Sequence, residues 1–213
     1  MNVCGLLPWF DALPAYLALR DDLCAGLAAP ALGLLRAARP ALLAALARDL
    51  GSPMLVVAGS VERARALQQS LRHWHPHPNL VLGFPEPPVL LYERAAWPRD
   101  TVVGRIAALC RLASPPAGGL VVVASARALM QPVLPVQQFR LGTRTLRVGQ
   151  TLELEETVRR WSGVGYEPVS VVDGPGQFSH RGGILDVFPP AEPLPVRIEL
   201  FGNQIESIRR FDP

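Results

Sequence analysis

The sequence predicts an α/β domain with a parallel sheet, followed by a smaller α+β domain with antiparallel strands. The first part of the chain alternates short apolar runs with segments of helical periodicity, which is typical of a parallel sheet covered by helices. The later part places several strand-like segments in succession, separated by turn residues, which is typical of antiparallel pairing. A chain of 213 residues is long enough for both. We assign the two domains to residues 1–137 and 138–213.

The strands predicted in the first domain are short and rich in β-branched residues. Residues 53–59 (PMLVVAG) predict a strand buried on both faces, and residues 79–84 and 119–125 predict two more. A helix follows the first of these strands, where Ser60 is a suitable N-cap. Residues 39–50 predict an earlier helix, because alanine and leucine favour helices and a proline stands in the first turn.

The second domain has a different order of elements. Residues 139–150 predict an exposed strand pair and residues 152–165 predict a helix. Three antiparallel strands are predicted after it, within residues 166–172, 182–188 and 196–211. This order differs from the strand and helix alternation of the first domain, so we expect a separate α+β unit.

Composition excludes several classes of site. All 21 basic residues are arginine, so the lysine that a P-loop or a Schiff-base enzyme uses is missing. Cys4, Cys24 and Cys110 are odd in number and far apart, which indicates neither a disulfide framework nor a zinc site. The chain shows no transmembrane span and no secretory signal, so we expect a cytoplasmic protein.

A weak resemblance to a nucleotide-binding loop precedes the helix at residues 39–50. Gly33 fits the first glycine of G-x-x-x-x-G-K-[ST], but Ala38, Arg39 and Pro40 replace the second glycine, the lysine and the hydroxyl residue. Alanine restricts the backbone, and proline removes both an amide donor and the metal-facing hydroxyl. An unrelated loop before a helix explains the same letters equally well. Under either interpretation we expect no ATP hydrolysis.

Two groups of reactive residue types predict no site. The H-x-H-x-H pattern of residues 73–77 lies in a proline-containing connector without a nearby carboxylate or cysteine, so we expect a solvated loop there. Ser179, His180 and Asp186 are the residue types of a hydrolase triad, but no nucleophile elbow surrounds them. We therefore expect no catalytic residue, no bound metal and no cofactor.

Arg181, Arg197 and Phe201 are the candidate binding residues. Arg181 precedes Gly182 and Gly183, whose backbone freedom allows a tight turn at the entrance of a strand. Strict alternation in residues 196–201 (VRIELF) puts Arg197 and Phe201 on one face and the aliphatic residues on the other. An exposed aromatic residue beside an arginine is typical of a protein interface. The spacing allows equally that Phe201 lies in a small second core.

Residues 178–213 (FSHRGGILDVFPPAEPLPVRIELFGNQIESIRRFDP) resemble the signature of the transcription-repair coupling factor (Mfd) family, in its region homologous to UvrB. The resemblance extends over about residues 30–213. It implies a RecA-like first domain with a degenerate P-loop. UvrB is the nearest alternative, but it keeps an intact P-loop and a long hairpin, and here only residues 92–98 (YERAAWP) stand at the hairpin position.

The resemblance implies a non-catalytic module that recruits UvrA to stalled transcription in nucleotide excision repair. It assigns the UvrA contacts to Arg181, Arg197 and Phe201. RNA polymerase and duplex DNA would be bound only by further domains after Pro213, so we expect this chain to be a fragment. The alternative is a UvrB-like, ATP-dependent protein that processes DNA damage.

Overall fold

The structure is a computed structural model that describes residues 2–88 and 96–213. The chain separates into two compact units, Met1–Pro132 and Val133–Pro213. One contains a parallel sheet and the other a mixed sheet of mainly antiparallel strands, which confirms the predicted fold class. The domain division predicted after residue 137 stays a prediction. Of the residues at 92–98, those at 92–95 lie outside the described part of the chain.

The first unit is built from short strands and the helices that connect them. Its helices are α1 (Pro14–Cys24), α2 (Arg39–Leu50), α3 (Val61–Trp74), α4 (Arg99–Ala113) and α5 (Ala126–Met130). Its strands are β1 (Met54–Ala58), β2 (Val81–Phe84) and β3 (Val121–Ser125). The predicted N-cap of α3 is confirmed, since Ser60 Oγ accepts a hydrogen bond from the backbone N–H of Arg63 at 3.3 Å.

The three strands form a parallel sheet in the order β1-β3-β2. All five residues of the central strand β3 are buried. In β1, an edge strand, burial alternates along the strand, and Leu55 and Val57 on one face are 52% and 53% exposed. The prediction that residues 53–59 are buried on both faces is therefore wrong, and β3 is the strand with that environment.

The segment before α2 contributes to the core of the first unit. A 3-10 helix (Cys4–Ala12) and α1 pack their apolar residues, among them Leu7 and Tyr16, against α2 and α3. The Tyr16 hydroxyl donates a hydrogen bond to Asp49 Oδ2 at 2.6 Å. Burial and this hydrogen bond both raise the pKa of Tyr16. The sequence alone left this packing unassigned.

His75 corrects the prediction of a solvated histidine loop. His73 and His77 are exposed, but His75 is fully buried. Its Nε2 atom lies 2.8 Å from the carbonyl oxygen of Gly119, and its Nδ1 atom accepts from the backbone N–H of His77 at 3.0 Å. His75 therefore links the end of α3 to the entrance of β3.

The second unit begins with two helices, α6 (Val136–Gly142) and α7 (Leu154–Gly163). Its strands are β4 (Glu167–Pro168), β5 (Gln177–Arg181), β6 (Ile184–Val187), β7 (Val196–Phe201) and β8 (Gln204–Arg210). They form one sheet in sequence order, in which β4 and β5 are parallel and the other pairs antiparallel. The strand pair predicted over residues 139–150 is wrong, since residues 136–142 are helical.

The core of the second unit lies on one face of this sheet. Phe178, Leu185 and Ile198 are buried there from three successive strands. Val158 and Trp161 of α7 pack against this cluster, and the rings of Trp161 and Phe178 meet edge-on with centroids 5.7 Å apart. α7 therefore covers one face of the sheet, as an amphipathic helix beside a sheet does.

No helix within residues 2–88 or 96–213 has both the length and the apolar character that a membrane crossing needs.

Candidate protein interface

The side of the second sheet opposite α7 carries the candidate binding residues, and we call it the open face. Strand register places Asp186 beside both Ser179 and Arg197, and Ile184 beside both Arg181 and Glu199. Because directly paired residues in a sheet point to the same side, these side chains form two cross-strand rows. The open face consists of Ser179, Arg181, Ile184, Asp186, Arg197, Glu199, Phe201, Gln204, Ser207 and Arg209.

Phe201 is exposed on the open face. Ile198 of β7 is buried in the core, whereas Phe201 at the end of the same strand is 81% exposed. The alternative that placed Phe201 in a second small core is therefore excluded. Ile184 is 38% exposed on the neighbouring strand and adds a second apolar side chain to this face. An exposed aromatic ring on the same sheet face as arginines is typical of a contact surface.

Arg181 is positioned by a two-glycine turn between β5 and β6. Gly182 has φ +58°, in the left-handed region that favours glycine. A Cβ atom on Gly183 would lie 2.8 Å from the carbonyl oxygen of Leu200, and the N–H of Leu200 donates to the Gly183 carbonyl at 2.8 Å. The turn therefore lies directly against β7, and larger residues do not fit at Gly183.

The guanidinium of Arg181 has a neutral hydrogen-bond partner. Its Nη2 atom donates to the carbonyl oxygen of Ser170, and the Ser179 hydroxyl donates to the same oxygen at 3.3 Å. Arg181 is exposed. A carbonyl oxygen fixes the direction of the guanidinium but does not neutralise it, so Arg181 keeps its charge available for an acidic group.

Arg197 is paired within the chain. Its Nε and Nη2 atoms donate to Asp186 Oδ1 and Oδ2 at 2.7 and 2.8 Å, which is the bidentate geometry of a strong charge-assisted pair. This bond to Asp186 is the main reason that the pKa of Arg197 is raised. The guanidinium also lies 5.2 Å from the ring centroid of Phe211. The sequence predicted two equivalent arginines, whereas, among the residues that the structure describes, Arg197 has a carboxylate partner and Arg181 has none.

Asp186 is the residue of this face that sequence reasoning missed. The residues Ser179, His180 and Asp186 do not form a triad, because His180 alternates to the other side of β5 and its Nε2 atom bonds the Gly182 carbonyl at 2.7 Å. The alternation along β6 places Ile184 and Asp186 on the same side of the strand, and this was the sequence signal that could have assigned Asp186 to the open face. The long connection between β6 and β7 hides the register that pairs Asp186 with Arg197.

A second ion pair crosses the open face between β7 and β8. Arg209 is bonded to Glu199, and the Ser207 hydroxyl donates to Glu199 Oε2 at 2.7 Å. The open face therefore has two carboxylates, each held by an arginine of the same face, and the third arginine is Arg181. The net positive charge of the open face is concentrated at Arg181, next to Ile184 on the adjacent strand.

The four residues of the nucleotide-loop comparison lie in the first unit. Gly33 is in a segment without regular structure, Ala38 ends a 3-10 helix, and Arg39 and Pro40 begin α2. Within residues 2–88 the first strand begins at Met54, after α2, whereas a P-loop follows a strand directly. Pro40 is buried in the first turn of α2.

The carboxyl ends of β2 and β3 border a pocket of about 100 Å³ that includes Glu86 and Ser125. Ser125 Oγ donates to Glu86 Oε2 at 2.6 Å, so these polar groups already satisfy each other. Ligand sites in proteins usually measure about 300–1,000 Å³. Among the described residues, no group of three or more histidine, cysteine or acidic side chains is arranged to hold a metal ion.

The comparison with known families finds a match within the second unit. Residues 145–213, which include all strands of the second sheet, match the family described as UvrB interaction domain. The match covers most of the second unit and none of the first.

Over most of its length the chain is similar to proteins named transcription-repair-coupling factor. It is 37% identical to the one from Myxococcus xanthus over 91% of its own length, and 37% identical to the one from Mycobacterium tuberculosis over 82%. The protein of the same name from Staphylococcus aureus is 44% identical over 37% of the chain. The chain spans only 16%, 14% and 7% of the lengths of these relatives.

Proposed function

We propose that this chain is the UvrA-recruiting part of a transcription-repair coupling factor, and that the open face binds UvrA. The similarity to transcription-repair-coupling factors and the UvrB interaction domain at residues 145–213 support this role. In this proposal the chain brings damage recognition to stalled transcription and acts in the cytoplasm.

The observation that carries the proposal is the exposure of Phe201 on the same sheet face as two arginines. A phenylalanine that is 81% exposed is costly in water and gains most from an apolar pocket on a partner. Arg181 supplies an unneutralised guanidinium on this face, which suits a carboxylate of the partner. We therefore propose that UvrA offers an apolar pocket for Phe201 and an acidic side chain for Arg181.

A titration of UvrA with the intact chain tests this function. We expect Arg181→Ala and Phe201→Ala each to weaken binding by about thirtyfold, the loss typical of an interface hot spot. Trp9→Ala is the matched control, because Trp9 is also an exposed aromatic residue, at 76%, but lies in the first unit. Unchanged affinity of both open-face variants, or equal losses in all three, would refute the proposed site.

We further propose that the chain itself is not an enzyme. A module of this kind needs only a binding surface, and Ala38, Arg39 and Pro40 stand where a P-loop has the glycine and lysine that hold phosphate and the hydroxyl that holds magnesium. RNA polymerase and duplex DNA would be contacted by parts of the coupling factors outside the matched 16%.

A further inference from the structure

We infer that Asp186 is a positioning residue of the proposed UvrA site: it holds the guanidinium of Arg197 in the orientation in which Arg197 meets the partner. This inference rests on the proposed function and adds a residue to it. The supporting observation is that Asp186 and Arg197 are direct neighbours in the sheet register and share two hydrogen bonds.

The geometry of the pair fixes the arginine more than the aspartate. Asp186 lies on β6, between β5 and β7, and its side chain is only 17% exposed, whereas that of Arg197 is 36% exposed. The carboxylate is therefore the more buried partner of the pair, and Arg197 keeps the larger exposed fraction. Two parallel bonds set both the position and the plane of the guanidinium.

Phe211 adds a second restraint on Arg197. Its ring centroid lies 5.2 Å from the guanidinium carbon, and its backbone N–H donates to the Pro195 carbonyl at 3.1 Å, which holds the Phe211 backbone beside the start of β7. A free arginine side chain loses the rotational freedom of several bonds when a partner immobilises it, and this loss of entropy weakens binding. Arg197 is already immobilised by Asp186 and Phe211, so binding costs little further side-chain entropy.

The other arginine pair of the open face is less restrained. Arg209 is 59% exposed and its partner Glu199 is 28% exposed. Of the two pairs, Asp186 and Arg197 thus present the more rigid guanidinium to a partner. The pairing also neutralises Arg197, so the long-range attraction of the face toward an acidic partner comes mainly from Arg181.

A double-mutant cycle in UvrA binding tests the inference. We expect Asp186→Ala to weaken binding by about three- to tenfold, the effect of losing one pre-ordered side chain. In the Arg197→Ala background the same change should alter affinity by less than about twofold, because Asp186 acts through Arg197. We also expect Asp186→Ala to make binding more dependent on salt, since it leaves Arg197 unneutralised.

Glu192→Ala is the matched control, because it breaks another arginine–carboxylate pair of the second unit, that of Arg210 and Glu192 at 2.8 Å, away from the open face. It should leave UvrA affinity unchanged. Circular dichroism and thermal unfolding check that each variant is folded. If Asp186→Ala unfolds the second unit, Asp186→Asn, which keeps an acceptor but removes the charge, takes its place in the cycle.

The outcomes separate this inference from the proposed function. Failure of the wild-type chain to bind UvrA would refute the function and the inference together. Loss of binding in Arg181→Ala with no effect of Asp186→Ala would refute only the inference. A weakening by Asp186→Ala that persists in the Arg197→Ala background would also refute it, because Asp186 would then contact the partner directly.

Discussion

His75 shows how one buried side chain makes the stability of the first unit depend on pH. The Nε2 atom of His75 lies 2.8 Å from the Gly119 carbonyl oxygen, and its Nδ1 atom lies 3.0 Å from the backbone nitrogen and 2.9 Å from the carbonyl oxygen of His77. Burial is the main cause that lowers the pKa of His75 below its usual 6.5. The folded chain therefore binds a proton at this site less readily than the unfolded chain does.

This difference predicts the direction of the pH effect. Below pH 6.5 the unfolded chain protonates His75 while the folded chain keeps it neutral, so the free energy of unfolding decreases as the pH falls through this window. The contribution of His75 is complete above pH 6.5, and the slope below it is at most about 1.4 kcal/mol per pH unit. Urea unfolding at about pH 7.5 and about pH 5.5 measures the difference in the free energy of unfolding between the two pH values.

His75→Gln should reduce the pH dependence, because the amide can still form hydrogen bonds but does not titrate. His73→Gln is the control, since His73 is exposed near the end of the same helix. If His75→Gln leaves the difference between the two pH values unchanged, the buried imidazole is not its source.

At the scale of elements, the 3-10 helix at Cys4–Ala12 offers a sharp test of the amino-terminal packing. Leu7 is 1% exposed and belongs to the core cluster, whereas its neighbour Leu6 is 50% exposed. We expect Leu7→Ala to lower the free energy of unfolding by about 2–5 kcal/mol because it leaves a cavity. Leu6→Ala should change it by about 0.5 kcal/mol or less. Similar losses in both variants would contradict this packing.

Elements were predictable from the sequence where a local pattern determines them. Alternation in residues 196–201 predicted both faces of β7, and Ser60 predicted the start of α3. The sequence did not distinguish β1 from β3, because both are short β-branched runs and only the sheet order makes β1 an edge. The strand pair predicted for residues 139–150 was wrong for a similar reason, because their weak pattern fits either a strand or a short helix.

The candidate site could be predicted only in part. Exposure of Phe201 followed from one of two interpretations of the alternation, and the structure was needed to choose between them. The bond between Asp186 and Arg197 joins strands that a long connection separates, so its register depends on the packing of the whole sheet. Local sequence therefore indicates which residues face outward but not which of them pair.

At the scale of the whole molecule, the proposed role and its UvrB-like alternative differ in nucleotide binding. We expect ATP and magnesium to leave the melting temperature of the intact chain unchanged, because the residues at the loop positions provide neither lysine nor hydroxyl. Differential scanning fluorimetry measures this, with a P-loop ATPase as positive control. A rise in melting temperature that grows with ATP concentration would favour the alternative.

The two units differ in how many faces of their sheets are covered. The first unit buries residues on both faces of its central strand, while the second packs α7 against one face of its sheet. Stability of the second unit thus depends on the side chains beneath the helix. On its other side a residue as exposed as Phe201 can be substituted with little penalty in folding, so that recognition of a partner can be retuned there without loss of stability.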